Sequence, residues 1–228
     1  MELKENERID DLQLDGLKII QNTKGFCFGV DSVLLSEFAK NMKNNSKIID
    51  LGTGTGVLCI LLSEKTEGTQ FIGVEIQEDV ADMARRSVCL NNLEDRIKIL
   101  NENILNLKDI YKKGEFDVVI TNPPYKKVNT GVINKEDKKV LSRHEITASL
   151  NDFLHISSYL LKDYGEFYMV HRPERLVDIF CAMREENIEP KLIKFVYPNL
   201  KDKTNKPAKL VLIKGIKKGK SFLKVENE

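Results

Sequence analysis

Four short apolar runs, separated by helix-like segments, constrain this chain more than any other feature. KIIDL (47–51), QFIGVE (70–75), RIKIL (96–100) and FDVVIT (116–121) read as strands. VLCILLSE (57–64) reads as a helix, and EDVADMARRSVCLNN (78–92) as another, with Val80, Met83, Ala84, Ser87 and Leu90 on one face. Strand and helix alternate in this way along the middle of the chain. Parallel strands joined by crossover helices satisfy that order most simply.

The pattern continues downstream. LNDFLHISSYLLK (150–162) reads as a helix and GEFYMV (165–170) as a strand. PERLVDIFCAMREE (173–186) reads as a helix with Pro173 in its first turn, where its missing N–H costs nothing. KLIKFVYP (191–198) and AKLVLIKGI (208–216) read as two strands with no helix between them, hence antiparallel. Upstream, LQLDGLKII (12–20) reads as a hairpin turning at Asp15-Gly16. GVDSVLLSEFAKNM (29–42) reads as a helix that Asp31 or Ser32 could cap. The expected architecture is α/β and Rossmann-like. It has a seven-stranded mixed sheet with helices on both faces and an N-terminal hairpin. One domain is expected over residues 1–228: hairpin and helix to 45, core from 46 to 215, and a charged tail from 216.

At 228 residues the chain can bury a core without disulfides or metal. Cys27, Cys59, Cys89 and Cys181 form no CxxC pair, and the three histidines show no metal spacing. The cysteines are expected to be reduced, with Cys59 and Cys89 as small core residues. The charged opening MELKENERID lacks the apolar stretch of a signal peptide, and VLCILL is too short to span a bilayer. A soluble cytoplasmic protein is expected, with no metal, no membrane partner and a monomer favoured.

DLGTGTG places Gly52, Gly54 and Gly56 between the first core strand and its helix. Glycines there let the backbone turn sharply and approach a ligand, and the helix start can face an anionic group. A dinucleotide fingerprint would need its last glycine where Val57 stands. Glu75 ends the second strand, where an acid can accept both hydroxyls of a ribose. Asn103 follows the third strand; its amide could meet an adenine edge, or simply close a turn. TNPPY (121–125) ends the fourth strand with two prolines that cannot continue a sheet.

DLGTGTG, VEIQ and TNPPY in this order resemble the class I S-adenosylmethionine-dependent methyltransferases, specifically the amino-methyltransferases with an Asn-Pro-Pro-aromatic motif. The resemblance covers about residues 12–215. It implies a donor site of Asp50, Gly52, Gly54, Gly56, Glu75, Ile76, Asn103, Ile104 and Asn122. Asp50 would face the methionine amino group, or else bond the loop amides. Where the family often has an acid, Asn103 keeps an acceptor without the charge. The resemblance also implies a catalytic motif of Asn122, Pro123, Pro124 and Tyr125 that holds a planar amine.

QNTKGFCFGVDSVLLSEF (21–38), RHE (143–145) and HRPERL (171–176) resemble signatures of the tRNA1(Val) adenine-N6 methyltransferases. That implies transfer to adenine N6 in tRNA. Glutamine side chains of proteins and guanine N2 are the alternative amines, and a binding module without catalysis is the non-enzyme alternative. The stretch from Lys191 to Lys220 holds ten lysines and a single acid, Asp202. It is either a solvated face or a surface for a polyanion. Lys126, Lys127, Arg143, Arg172, Arg175, Lys203 and Lys206 are the candidate RNA contacts, and the segment 126–147 is expected to order when substrate docks.

Overall fold

The computed structural model describes residues 2–25, 27–125, 148–198 and 207–226. Strands β1 (Glu7–Asp11) and β2 (Lys18–Asn22) form an antiparallel hairpin, followed by helix α1 (Val30–Phe38). The core then runs β3 (Lys47–Leu51), α2 (Val57–Lys65), β4 (Gln70–Glu75), α3 (Glu78–Leu90), β5 (Ile97–Asn101), α4 (Leu107–Ile110) and β6 (Phe116–Thr121). After the undescribed 126–147 come α5 (Leu150–Leu160), β7 (Leu161–His171), α6 (Leu176–Glu185), β8 (Ile188–Val196), β9 (Leu210–Lys217) and β10 (Lys224–Val225).

All seven expected strands lie in one mixed sheet, which an eighth, two-residue strand extends, in the order β10-β8-β9-β7-β6-β3-β4-β5. β5, β4, β3, β6 and β7 pair in parallel, while β9 runs antiparallel to both β7 and β8. β9 extends past 215 to Lys217, and β10 pairs with β8 from within the segment read as a tail. Pro190, which has no N–H to offer a ladder, stands where the β8–β9 register shifts.

Alternation along the strands builds two apolar layers. Ile49, Leu51, Ile72, Val74, Val119, Phe167 and Met169 face Phe153 and Leu154 of α5 and Ile179 and Met183 of α6. Ile48, Phe71, Val118, Ile120, Tyr168 and Val170 face Leu35 of α1, Leu58 and Leu62 of α2 and Val88 of α3. The hairpin sits outside the second helical layer: Ile19 packs on Val57 and Leu61 of α2, and Ile20 on Val80 and Met83 of α3.

Four local expectations are corrected. The turn is at Asp15-Gly16, both with positive φ, and Leu17 N donates to Leu14 O at 2.9 Å. Its first strand, however, is the charged Glu7–Asp11; Leu12 N still donates to Leu17 O at 2.9 Å, and the side chains of Leu12 and Leu14 turn in against the core. Neither Asp31 nor Ser32 caps α1; Gly29 is the N-cap, which puts both side chains inside the first turn. Cys89 is exposed, on the solvent side of α3, as are Cys27 and Cys181; only Cys59 is buried, and all four are free thiols. Helix α5 ends at Leu160, two residues early, and the chain turns directly into β7.

Gly73, in β4, shows how tightly the sheet is fitted to the loop above it. A Cβ there would lie 2.8 Å from Ile99 Cδ1 and 2.9 Å from both Cγ2 and Oγ1 of Thr53. We expect Gly73→Ala to destabilise the chain by about 1–3 kcal/mol through overpacking. A urea unfolding midpoint equal to wild type would contradict this fit.

Candidate active site

Strand order reverses between β3 and β6: the chain moves outward through β4 and β5 on one side, and through β7 on the other. In an open α/β sheet the crevice beyond the carboxyl ends at such a reversal is where ligands bind. Asp50 and the glycine loop leave β3 there, and Asn122 leaves β6 beside them, since Leu51 pairs with Thr121. The Thr121 hydroxyl donates to Leu51 O at 2.8 Å and ties the two strand ends together.

The loop glycines have φ of +75° (Gly52), +57° (Gly54) and +85° (Gly56), a conformation that disfavours any side chain. Gly52 N and Thr53 N both donate to Val74 O, at 2.9 and 2.8 Å. Glu75 closes the loop from the neighbouring strand. Its Oε2 accepts from Gly54 N at 3.0 Å and its Oε1 from Gln77 N at 3.0 Å. The carboxylate is buried, and burial raises its pKa despite the two amides. Gln77 Nε2 also reaches Oε1, at 3.5 Å, so Oε2 keeps the clearer lone pair for a further donor.

Asp50 has no such partners. It is fully buried, and neither carboxylate oxygen makes a hydrogen bond with the described residues. The Thr53 hydroxyl is near enough to favour the charged form, but outside bonding geometry. Burial, with the nearby Glu75 charge adding to it, pushes the Asp50 pKa up to about 7 from the ordinary 3.8. The buried Thr55 hydroxyl is also unpartnered among the described residues. A buried acid with no hydrogen-bond partner among the described residues is a good counterpart for a cationic group.

Beyond β5, Asn103 Oδ1 accepts from Leu105 N at 3.0 Å and so caps a short 3-10 turn over Ile104–Asn106. The Ile104 side chain goes into the core, while that of Ile76 is half exposed at the sheet edge (47%). Asn101 holds the intervening backbone, donating to Glu75 O at 2.9 Å and Ile76 O at 3.0 Å.

In the motif itself Pro123 is buried and Pro124 exposed. Asn122 Nδ2 donates to Ser32 Oγ at 3.3 Å. The Tyr125 hydroxyl lies 2.6 Å from Asp31 Oδ2 and 2.9 Å from Asn122 Oδ1. Burial, then the bond to Asp31, holds the phenol well above its usual pKa. The Tyr125 ring has the His171 ring edge-on at 5.1 Å and the Arg172 guanidinium 5.1 Å from its centroid. His171 is buried, and its Nδ1 accepts from Arg172 N at 2.8 Å. Burial lowers its pKa to about 4, so the ring is neutral at pH 7.

Of the proposed RNA contacts, Arg172 thus stands at the motif. Arg175 is bound to Asp178 Oδ2 at 2.7 Å, one helical turn on. Lys126, Lys127, Arg143, Lys203 and Lys206 lie outside the described residues, as does the RHE signature. The lysine-rich stretch is less free than its local count implies. Lys214 pairs with Glu166 at 2.6 Å, Lys218 with Asp163 at 2.7 Å and Lys194 with Glu226 at 3.7 Å. Lys217 is buried and donates to Ser158 O and Leu161 O, at 2.6 and 2.7 Å, where α5 ends. Sequence reasoning missed the site roles of Asp31 and Ser32. Their partners are 94 and 90 positions away, a distance that leaves no local signature.

Comparison with known proteins gives a family and a fold. The model of the methyltransferase small domain family matches residues 29–177. A tRNA1(Val) (adenine(37)-N6)-methyltransferase of Porphyromonas gingivalis is 29% identical over 156 residues, which are 66% of this chain and 60% of the relative. One from Mannheimia succiniciproducens is 29% identical over 161 residues, 68% of this chain and 64% of the relative. The match therefore spans about three fifths of the length of these curated relatives. Among solved structures, a predicted O-methyltransferase from Agrobacterium tumefaciens has a TM-score of 0.67 at 20% identity, covering 86% of this chain and 84% of its own. The T. thermophilus 16S rRNA N2 G1207 methyltransferase, in complex with AdoMet and guanosine, has 0.64 at 17%, covering 95% of this chain and 52% of its own. These structures share the fold.

Asp50 makes a prediction with a definite sign. Its folded pKa lies above its ordinary one, so the folded chain keeps a proton that the unfolded chain releases. That contribution to stability is complete below pH 3.8 and is lost as the pH rises through about 7. Asp50→Asn should therefore raise the melting temperature at pH 8 with no ligand added, and change it much less at pH 5. For a chain of this size each kcal/mol gained is worth roughly 2–4 °C. An unchanged or lower melting temperature at pH 8 would mean that Asp50 is better satisfied than its surroundings indicate.

Proposed function

This chain belongs to the methyltransferase small domain family, and we propose that it transfers a methyl group from S-adenosylmethionine to the N6 amine of an adenine in tRNA. The observation that carries the reading is the buried Asp50, unpartnered among the described residues, next to the Asn122 motif at the strand-order reversal. The names of the curated relatives support the choice of tRNA adenine.

The residues present fit the donor. Asp50 supplies the counter-charge for its ammonium, Glu75 has lone pairs for the ribose hydroxyls, and the left-handed glycine loop lets backbone come close. Ile76 offers an apolar surface to the adenine at the sheet edge, and the turn at Asn103 and Ile104 bounds it. When bound, S-adenosylmethionine supplies a methyl group on a positively charged sulfur, already activated for transfer.

The chain must then make the target nitrogen reactive. An exocyclic amine on adenine is a weak nucleophile because its lone pair is delocalised into the ring. Asn122 Oδ1 and the Pro123 carbonyl oxygen accept its two N–H bonds, favour a pyramidal nitrogen and return the lone pair to it. The prolines stiffen the backbone that carries these acceptors, so they need not reorganise during reaction. Tyr125 and Arg172 form an aromatic and cationic wall for the base and its phosphates. No side chain has to act as a base, since the alkylated nitrogen gives its extra proton to water. Neutral His171, whose Nδ1 is occupied by Arg172 N, shapes this wall and carries no proton in the reaction.

The test is mass spectrometry of nucleosides from tRNA incubated with the chain and labelled donor. N6-methyladenosine is expected; N2-methylguanosine, or label in a protein glutamine, would overturn the adenine assignment. In the same assay Asn122→Ala should bind donor within about threefold of wild type while turnover falls roughly 100-fold or more. Near-normal turnover would remove Asn122 from the chemistry.

A further inference from the structure

The proposed chemistry requires free lone pairs on Asn122 Oδ1, yet a hydroxyl stands beside that atom. Tyr125 has one hydroxyl proton and two acceptors in range, Asp31 Oδ2 at 2.6 Å and Asn122 Oδ1 at 2.9 Å. A carboxylate both nearer and charged outcompetes a neutral amide oxygen. The hydroxyl cannot simply swing away, because His171 and Arg172 flank its ring. Ser32, the next residue on α1, accepts from the other end of the Asn122 amide.

We infer that Asp31 is a positioning residue for methyl transfer: it draws the Tyr125 proton to itself and keeps the Asn122 oxygen open to the substrate amine. This rests on the reading of Asn122 given above. The first turn of α1 thereby sets the acceptor pattern of a motif carried by β6. Asp31 acts only through Tyr125 and touches neither substrate nor donor.

The inference has a signature that a merely structural contact lacks. In Asp31→Ala the tyrosine proton turns to Asn122 Oδ1 and occupies it. Turnover should drop about 10- to 100-fold, with the donor KM unchanged. Tyr125→Phe removes the competing proton altogether. Whatever that change costs by itself, the double variant Asp31→Ala/Tyr125→Phe should match Tyr125→Phe, the Asp31 change costing nothing further once the competing proton is gone. Asp31→Asn, which keeps the shape with a weaker acceptor, should fall between wild type and Asp31→Ala and should be brought to the same level by Tyr125→Phe. It serves where the alanine variant folds poorly, as melting temperatures will reveal. Double variants that fall below Tyr125→Phe by the factor the Asp31 change costs in the wild-type background overturn the inference while leaving the functional reading intact. A wild-type chain that methylates no adenine in tRNA overturns both.

Discussion

The pairing of β3 with β6 is the constraint on which the site depends. These strands are neighbours in the sheet but far apart in the chain, and they run parallel, so their outgoing loops leave in one direction. Asp50 lies opposite Ile120 on one side and Gly73 on the other. By alternation it shares a face with Ile48, in the layer beneath α1, α2 and α3. A one-residue slip would turn Asp50 to the opposite apolar layer and scramble both loops. The register that fills the core is therefore the register that brings a buried acid and the Asn122 motif to one rim. Gly73, which offers no side chain, leaves Thr53 of the glycine loop its space.

Two buried titratable groups at this rim pull stability in opposite directions. His171 has a folded pKa of about 4, below its ordinary 6.5. Its contribution is complete above pH 6.5 and is lost as the pH falls through 4. Asp50 behaves in the reverse sense, losing its contribution as the pH rises through about 7. The histidine is accommodated: it packs against Tyr125 and accepts from a backbone amide. The aspartate is not, and no packing argument explains a carboxylate there. A group with no hydrogen-bond partner among the described residues is one a ligand would complete, which is why Asp50 supports the proposed donor site more strongly than the glycines do.

Much of this was legible because the informative signals are local. Period-2 and period-3.6 patterns gave seven strands that all lie in one sheet, and the antiparallel β8–β9 pair followed from a connection without a helix. Gly52, Gly54, Gly56, Glu75 and Asn122 could be set on one sheet edge because each directly ends or follows a strand. What could not be read was tertiary pairing. Asp31 and Ser32 looked like caps because an acid and a serine open an apolar helix; their real partners are brought in by β6. The lysine count from 191 to 220 overstated a basic face, because the acids that neutralise it, Glu166, Asp163 and Glu226, lie outside the window. Cys89 looked buried because its helix is amphipathic, but it falls on the wet side.

The N-terminal hairpin acquires a purpose through the same pairing. Asp31 sits only nine residues after the end of β2, so its place is set by where the hairpin is pinned. The anchor is α3. Ile20 N donates to Ser87 Oγ at 2.9 Å, Asn91 bonds both the N–H and the carbonyl of Lys18, and Arg86 bridges Glu7 and Asp82. These ion pairs are partly buried, and the full burial of Ile19 and Ile20 adds the apolar part of the anchor. But α3 also packs against the glycine loop, where a Cβ on Gly56 would meet that of Ala84 at 3.4 Å. One helix thus fixes the loop on one side and, through the hairpin and α1, the Tyr125 hydroxyl on the other. The two halves of the rim are referenced to a common rigid body, and that lets acceptors supplied by β6 keep a defined distance from groups supplied by β3 and β4.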